Sequence, residues 1–211
     1  MTPYLEDAVN VTGLLLAGGR SRRMGCDKRS IPVGNTSLLE HILNRMRLLC
    51  PRVIVVANDP EYFASMDAKV VTDIYPGSSL GGLYTGLYHS PTEVMFASAC
   101  DLPFFNLDLA RVLLGSVPAK DACLIKTAAG YEPLFACYRK TCLPWMRTHL
   151  EQGNYRIRNL ILNLEEYLNV CKIDIEDLGH IAEIDSAFIN VNRPGDLEQI
   201  GKISAPEQNS W

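Results

Sequence analysis

The sequence is short of the features that would send it to a membrane, a nucleic acid or a redox chain. None of its apolar runs approaches the roughly 20 residues that span a bilayer. Its start, MTPYLEDAVNVTG, carries acids where a secretory leader would carry bases. A cytoplasmic protein with no membrane partner is therefore expected. Positive charge is not in surplus either: 20 Lys and Arg stand against 24 Asp and Glu, for a net charge of −4. A general nucleic-acid binder needs the opposite balance to displace counterions, so no nucleic-acid partner is expected. There is no C-x-x-C, and the four histidines are scattered, so no zinc site suggests itself. The seven cysteines (Cys26, Cys50, Cys100, Cys123, Cys137, Cys142, Cys171) form no disulfide pattern. They read as small buried hydrophobes in a reducing compartment.

Two nucleotide-binding fingerprints are missing as well. A P-loop requires G-x-x-x-x-G-K-[ST], but Gly25 is followed by Cys26 and Asp27; a dinucleotide loop requires G-x-G-x-x-G, which the adjacent pair Gly18-Gly19 does not supply. An ordinary P-loop ATPase or NAD enzyme is disfavoured.

What is present is an alternation of short β-rich runs and amphipathic stretches over 211 residues, enough for one well-buried domain. VTGLLLA (11–17) is apolar on both faces and reads as a central strand. Residues 37–49 read as a helix with a Ser37/Glu40 capping box, an apolar stripe and Pro51 beyond its end. Further strands are expected at 53–57, 69–71, 94–99, 121–126, 132–138, 170–175 and 187–191. Helices are expected at 60–66, 83–89, 140–150, 156–168 and 194–200. The expected class is α/β: one domain over 11–202, between an N-terminal extension (1–10) and a C-terminal tail (203–211).

Charge is unevenly placed. Arg20, Arg22, Arg23, Lys28 and Arg29 fall within ten positions, in GLLLAGGRSRRMGCDKRS, and all five read as cations for the phosphates of a nucleotide. This loop leaves the first strand at its carboxyl end, where open α/β sheets bind ligands. Gly18 and Gly19 allow close backbone approach, and backbone amides with Arg23 and Lys28 favour a polyanion. The bland alternative is a glycine-rich turn with solvated charges. Asn58, Asp73 and Asp101 each follow a later strand. Asp101, stiffened by Pro103, sits where a divalent cation could bridge it to phosphate oxygens. Cations with hard oxygen ligands make up a kit for phosphoryl chemistry.

LLLAGGRSRRMGCDK resembles the L-A-G-G-x-x-x-R-M-G-x-D-K signature of nucleotidyltransferases, and most of all the molybdenum cofactor guanylyltransferase family. VVAND, VVTDIYPGSSLGGLYTGL, FASACDLPF, YEPLFACY and FINVNRPGDL extend the resemblance in order over about residues 11–200. It implies a Rossmann-like three-layer α/β/α fold with a mostly parallel mixed sheet, of the nucleotide-diphospho-sugar transferase type. It implies magnesium-dependent transfer of GMP from GTP onto the terminal phosphate of molybdopterin, in an enzyme that could also meet cofactor-supplying or acceptor proteins. By carry-over, Leu16, Ala17, Gly18 and Gly19 hold the nucleotide through backbone groups, and Lys28, with Arg23, meets its phosphates. Asn58 and Asp73 fix guanine and ribose, and Asp101 ligates magnesium. Asn190 and Asn192, two apart on an expected strand, line the molybdopterin side. The chain departs from the pattern at Ser78-Ser79, where relatives often have Gly-Pro, and in its N-terminal extension. A CTP-dependent enzyme on the same cofactor, an NTP transferase acting on a sugar or alcohol phosphate, and a non-catalytic nucleotide-binding subunit remain as alternatives.

Overall fold

The computed structural model describes residues 10–18, 27–64, 66 and 68–191. Both ends of the chain, most of the basic loop (Gly19–Cys26) and the helix expected at 194–200 lie outside them.

A seven-stranded sheet forms the middle layer, in the order β5-β4-β1-β6-β8-β7-β9. Its strands are β1 (Val11–Leu16), β4 (Arg52–Val56), β5 (Lys69–Val71), β6 (Val94–Ala99), β7 (Ala122–Thr127), β8 (Gly130–Arg139) and β9 (Val170–Asp174). The first four in space run parallel, β8 is antiparallel to both its neighbours, and β9 is again parallel to β7. The expected mixed, mostly parallel α/β sheet is the one observed. β2 (Pro32–Val33) and β3 (Thr36–Ser37) make a small separate hairpin.

Strand β1 is buried along its whole length because each face meets a different core. Leu15 faces one core together with α1 (Leu38–Arg47) and α3 (Leu107–Ser116). Leu14 and Leu16 face the other, with α2 (Ser79–His89), α4 (Leu143–Glu151) and α5 (Ile157–Tyr167). Period-2 alternation within an all-apolar strand thus yields the three layers. Helix α1 starts where its capping box dictates: Glu40 N donates to Ser37 Oγ, and Ser37 N donates to Glu40 Oε2.

Four expectations need correction. The helix expected at 60–66 is a single 3₁₀ turn, Pro60–Phe63. Helix α2 begins at Ser79, earlier than the expected 83. Ser78 caps it, accepting from Gly81 N at 3.0 Å, and tight packing rather than helix propensity explains the glycines that follow. Helix α3 was not expected at all, although Asn106 caps it through Leu109 N and Leu109, Ala110 and Leu113 form its buried stripe. Residues 187–191 are not a strand. Their β-branched composition suits one, but they pair with no strand, and turn bonds such as Ala187 N to Ile184 O and Ile189 N to Ser186 O set their path.

Cys50, Cys123, Cys137 and Cys142 are buried and unbridged, as expected of small hydrophobes. No described helix is long and apolar enough to cross a membrane.

Candidate nucleotide site at the carboxyl edge of the sheet

Sheet pairing continues one residue past the parallel strands. Ala17 N donates to Val56 O, Ala57 N to Val71 O and Cys100 N to Leu16 O, each at 3.1 Å. The chains therefore leave β1, β4 and β6 at one level. Leu16, Ala17 and Gly18 exit from β1, Asn58 from β4, Asp73 from β5 and Asp101 from β6. Along the sheet edge this gives the order Asp73, Asn58, Gly18, Asp101. A methyl placed on Gly18 would lie 4.0 Å from Asn58 Nδ2, and one on Gly82 would lie 2.8 Å from Leu16 Cδ2 and 3.8 Å from Asp73 Oδ2. Residues far apart in the sequence thus converge where the switch-point rule puts a ligand.

Asp73 is partly committed. Its Oδ1 accepts from Thr85 Oγ1 at 2.9 Å and from Tyr75 N at 3.0 Å, and Thr85 Oγ1 accepts from Ile74 N. The buried Thr85 on α2 fixes the rotamer, an arrangement that nothing in the local sequence announces. Burial pushes the Asp73 carboxyl above its ordinary pKa, against the pull of those two hydrogen bonds. Only Oδ2 remains for a ligand.

Asp101 is held from its surroundings inward. Arg45 Nε on α1 donates to Phe105 O at 2.8 Å, and Asn106 Nδ2 donates to Ala182 O. Val191 N donates to the carbonyl of Asp101 itself at 3.0 Å. Burial raises the Asp101 pKa, with the charge of nearby Lys28 working against the rise. Such a carboxylate, drawn out of water beside a cation, is a hard oxygen donor suited to magnesium. Among the described residues no three His, Cys, Asp or Glu side chains converge on one point. The fit is to an ion held by one carboxylate plus phosphate oxygens and water, a common arrangement for magnesium.

The expected cation cluster divides. Lys28 opens a short 3₁₀ turn, Lys28–Ser30, and is near enough for its charge to act on Asp101. Arg29 does not serve as a loose phosphate cation, which corrects its reading as one of five. It is 13% exposed and clasped between the carboxylates of Asp27 and Asp59. Gly19, Arg20, Arg22, Arg23, Cys26 and Asn192 lie outside the described residues. Asn190 is described, and its neighbour Val191 abuts Asp101; its Nδ2 donates to Phe188 O in an irregular segment. The expected sharing of a strand face with Asn192 therefore has no strand beneath it.

Because β8 runs against β6, its beginning rather than its end reaches this edge, past the pairing of Ser98 with Phe135. Glu132 stands there half-buried. Burial raises its carboxyl pKa, while Arg158 and a hydrogen bond from Thr127 work in the opposite sense.

Residues 13–167 match the family described as the MobA-like NTP transferase domain. The chain is 32% identical to a probable molybdenum cofactor guanylyltransferase of Carboxydothermus hydrogenoformans, over 92% of this chain and 96% of that relative. It is 34% identical to one of Natranaerobius thermophilus, with the same two coverages. The crystal structure of molybdopterin-guanine dinucleotide biosynthesis protein A from Archaeoglobus fulgidus superposes with a TM-score of 0.77. That protein is 25% identical, and the match covers 91% of this chain and 97% of the other. With the match spanning residues 13–167 and the relatives covered almost end to end, the chain is a nucleotidyltransferase of the MobA-like NTP transferase family.

Proposed function

We propose that this protein transfers GMP from GTP to the terminal phosphate of molybdopterin, giving molybdopterin guanine dinucleotide and pyrophosphate. The observation that carries the reading is the edge row of Gly18, Asn58, Asp73 and Asp101 with Lys28 beside it, in a chain of this family. An oxygen of the pterin phosphate attacks the α-phosphorus of GTP and forms the new O–P bond. The bond from that phosphorus to the bridging oxygen breaks, and pyrophosphate leaves with the electron pair. Both partners are anions, so their repulsion makes up much of the barrier.

The backbone of Leu16–Gly19 and the Asn58 amide receive the guanine, whose carbonyl and adjacent N–H groups complement them. Asp73 Oδ2 faces the ribose. Lys28 and Arg23 take the phosphates and stabilise the departing charge. Asp101 would hold magnesium, which when bound neutralises charge on the reacting phosphates. Asn190 and Asn192 line the molybdopterin side. Every step is a displacement on phosphorus, so no nucleophilic side chain is required.

Incubation with each of the four NTPs, magnesium and purified molybdopterin, read as pyrophosphate release, tests the reading. GTP is expected to be preferred, because adenine reverses the polarity at the six position and cytosine leaves a gap. Sites built on hydrogen bonds can reject such mismatches by about 10⁴. Preference for CTP would move the chain to a cytidylyl reaction, and the absence of release with all four nucleotides would remove the transferase reading.

Lys28→Ala is expected to weaken GTP binding by about 1.5–3 kcal/mol, the range for a hydrogen bond to a charged group. Its thermal midpoint should hold, since Lys28 sits in a turn with no buried residue. Calorimetric titration with a thermal melt checks both. Unchanged affinity with a collapsed midpoint would make Lys28 structural.

A further inference from the structure

Arg29 makes the densest set of polar contacts in the described structure, and the proposed chemistry leaves it without a task. Its Nε donates to Asp27 Oδ1 at 2.9 Å and to Oδ2 at 3.0 Å, and Nη2 donates to Asp27 Oδ2 at 2.6 Å. From the same plane, Nη1 reaches Asp59 Oδ1 at 2.8 Å and Nη2 reaches Asp59 Oδ2 at 2.6 Å. The guanidinium carbon lies 4.0 Å from the centre of the Tyr62 ring and 5.5 Å from that of Phe63. Asp27 also caps the 3₁₀ turn, accepting from Arg29 N at 2.9 Å. The Arg29 hydrogen bonds hold the Asp27 carboxyl below its usual pKa, and the Asp59 bond is foremost in raising that of Arg29.

The two carboxylates belong to different parts of the site. Asp27 precedes Lys28, and Asp59 follows Asn58. We propose that Arg29 is a positioning residue that ties the turn carrying the phosphate cation to the loop carrying the base-reading amide, so that phosphate and base are gripped in a fixed relation. The proposal rests on the nucleotide-binding reading above. Lysine could not replace it: an ammonium is a point donor, whereas the planar fork serves two carboxylates at once while its carbon stands over the Tyr62 ring. The outcome is selectivity. A base reader held at a fixed distance from the phosphate anchor penalises a wrong base, and a slack one lets the nucleotide shift to recover its contacts. In reaction rates, misplacements of about 1 Å can cost on the order of a hundredfold, and hydrogen bonds to a base weaken with distance and angle in the same way.

The test is equilibrium binding of GTP, ATP and CTP with magnesium to the full chain and to Arg29→Lys, Arg29→Gln and Asp59→Asn, with thermal midpoints alongside. Asp59 is 40% exposed, and its amide variant retains the shape, so it keeps the test alive if the Arg29 variants fail to fold. The GTP-to-ATP affinity ratio is expected to fall about tenfold or more in Arg29→Lys and in Asp59→Asn. The double variant Arg29→Gln/Asp59→Asn is expected to fall no further than either single one, because both cut the same tie. A ratio unchanged in folded Arg29→Lys and Asp59→Asn, whatever happens to the midpoints, overturns the proposal. So does a uniform loss of affinity for all three nucleotides, which would make Arg29 an ordinary phosphate cation. A wild-type protein that binds nucleotide but transfers nothing sinks the enzymatic reading and leaves this one to be scored on binding; one that binds no nucleotide sinks both.

Discussion

Asp101→Asn is expected to lower magnesium-stimulated turnover by at least about a hundredfold while leaving most GTP binding in place. The amide keeps the side chain's shape and removes the charge a hard cation requires. Metal-ion stabilisation of phosphoryl oxygens amounts to several kcal/mol, and each 1.4 kcal/mol or so is a factor of ten in rate. The same change should not harm the fold. Burial raises the Asp101 pKa, so the ionised carboxylate is disfavoured in the folded protein. Its contribution to stability declines as pH climbs from the ordinary carboxylate value through the raised one. Without metal at neutral pH, the asparagine variant should melt at the same temperature as wild type or higher. Turnover against magnesium concentration and a metal-free melt check the two halves. Undiminished magnesium stimulation would transfer the principal ligand role to Asp73.

The largest effect on stability is expected at Gly81. A methyl there would collide with the Tyr75 carbonyl oxygen and lie 2.9 Å from its carbon and 3.0 Å from Tyr75 Cβ. Backbone cannot swing aside as a flexible side chain can. Gly81→Ala must push α2 away from the 73–75 loop, disturbing both the Ser78 cap and the bond from Thr85 to Asp73. Overpacking of this kind costs about 3 kcal/mol at the upper end of its usual range. In a domain of this size that is a fall of about 6–12 °C in thermal midpoint. Gly18→Ala is the contrast, since its methyl would meet nothing nearer than 3.8 Å. A Gly81→Ala midpoint within a degree of wild type would mean that the loop can yield.

Those glycines illustrate where sequence reasoning reached and where it stopped. Gly81 and Gly82 look like loop residues by propensity, and so the start of α2 was placed too late. Their reason for being glycine is the distance to Tyr75 and to Leu16, which only the assembled fold discloses. Strand β1 and the Ser37/Glu40 box were legible because the cause is local: a short continuous apolar run in one case, a three-residue spacing in the other. The polar groups after the parallel strands were legible because strand ends are the places where such sheets bind ligands. Arg29 was misread because composition reports that a charge is present and not what it faces. Its partner Asp59 lies in another loop, beyond any window of local pattern. Residues 187–191 failed for the converse reason: β-branched side chains favour a strand only where a neighbouring strand is available to accept them.

The grip on the Asp101 turn has a consequence for the order of assembly. During synthesis, β1, β4, β5 and β6 are available for mutual pairing once β6, which ends at Ala99, has left the ribosome, and most of the polar edge can form with them. The carbonyls of Ala182 and Asp101 find their partners only when the segment containing Ala182 and Val191 has emerged. The Asp101 turn is thus the last part of the edge to be set, after the strands that carry the rest of the polar row.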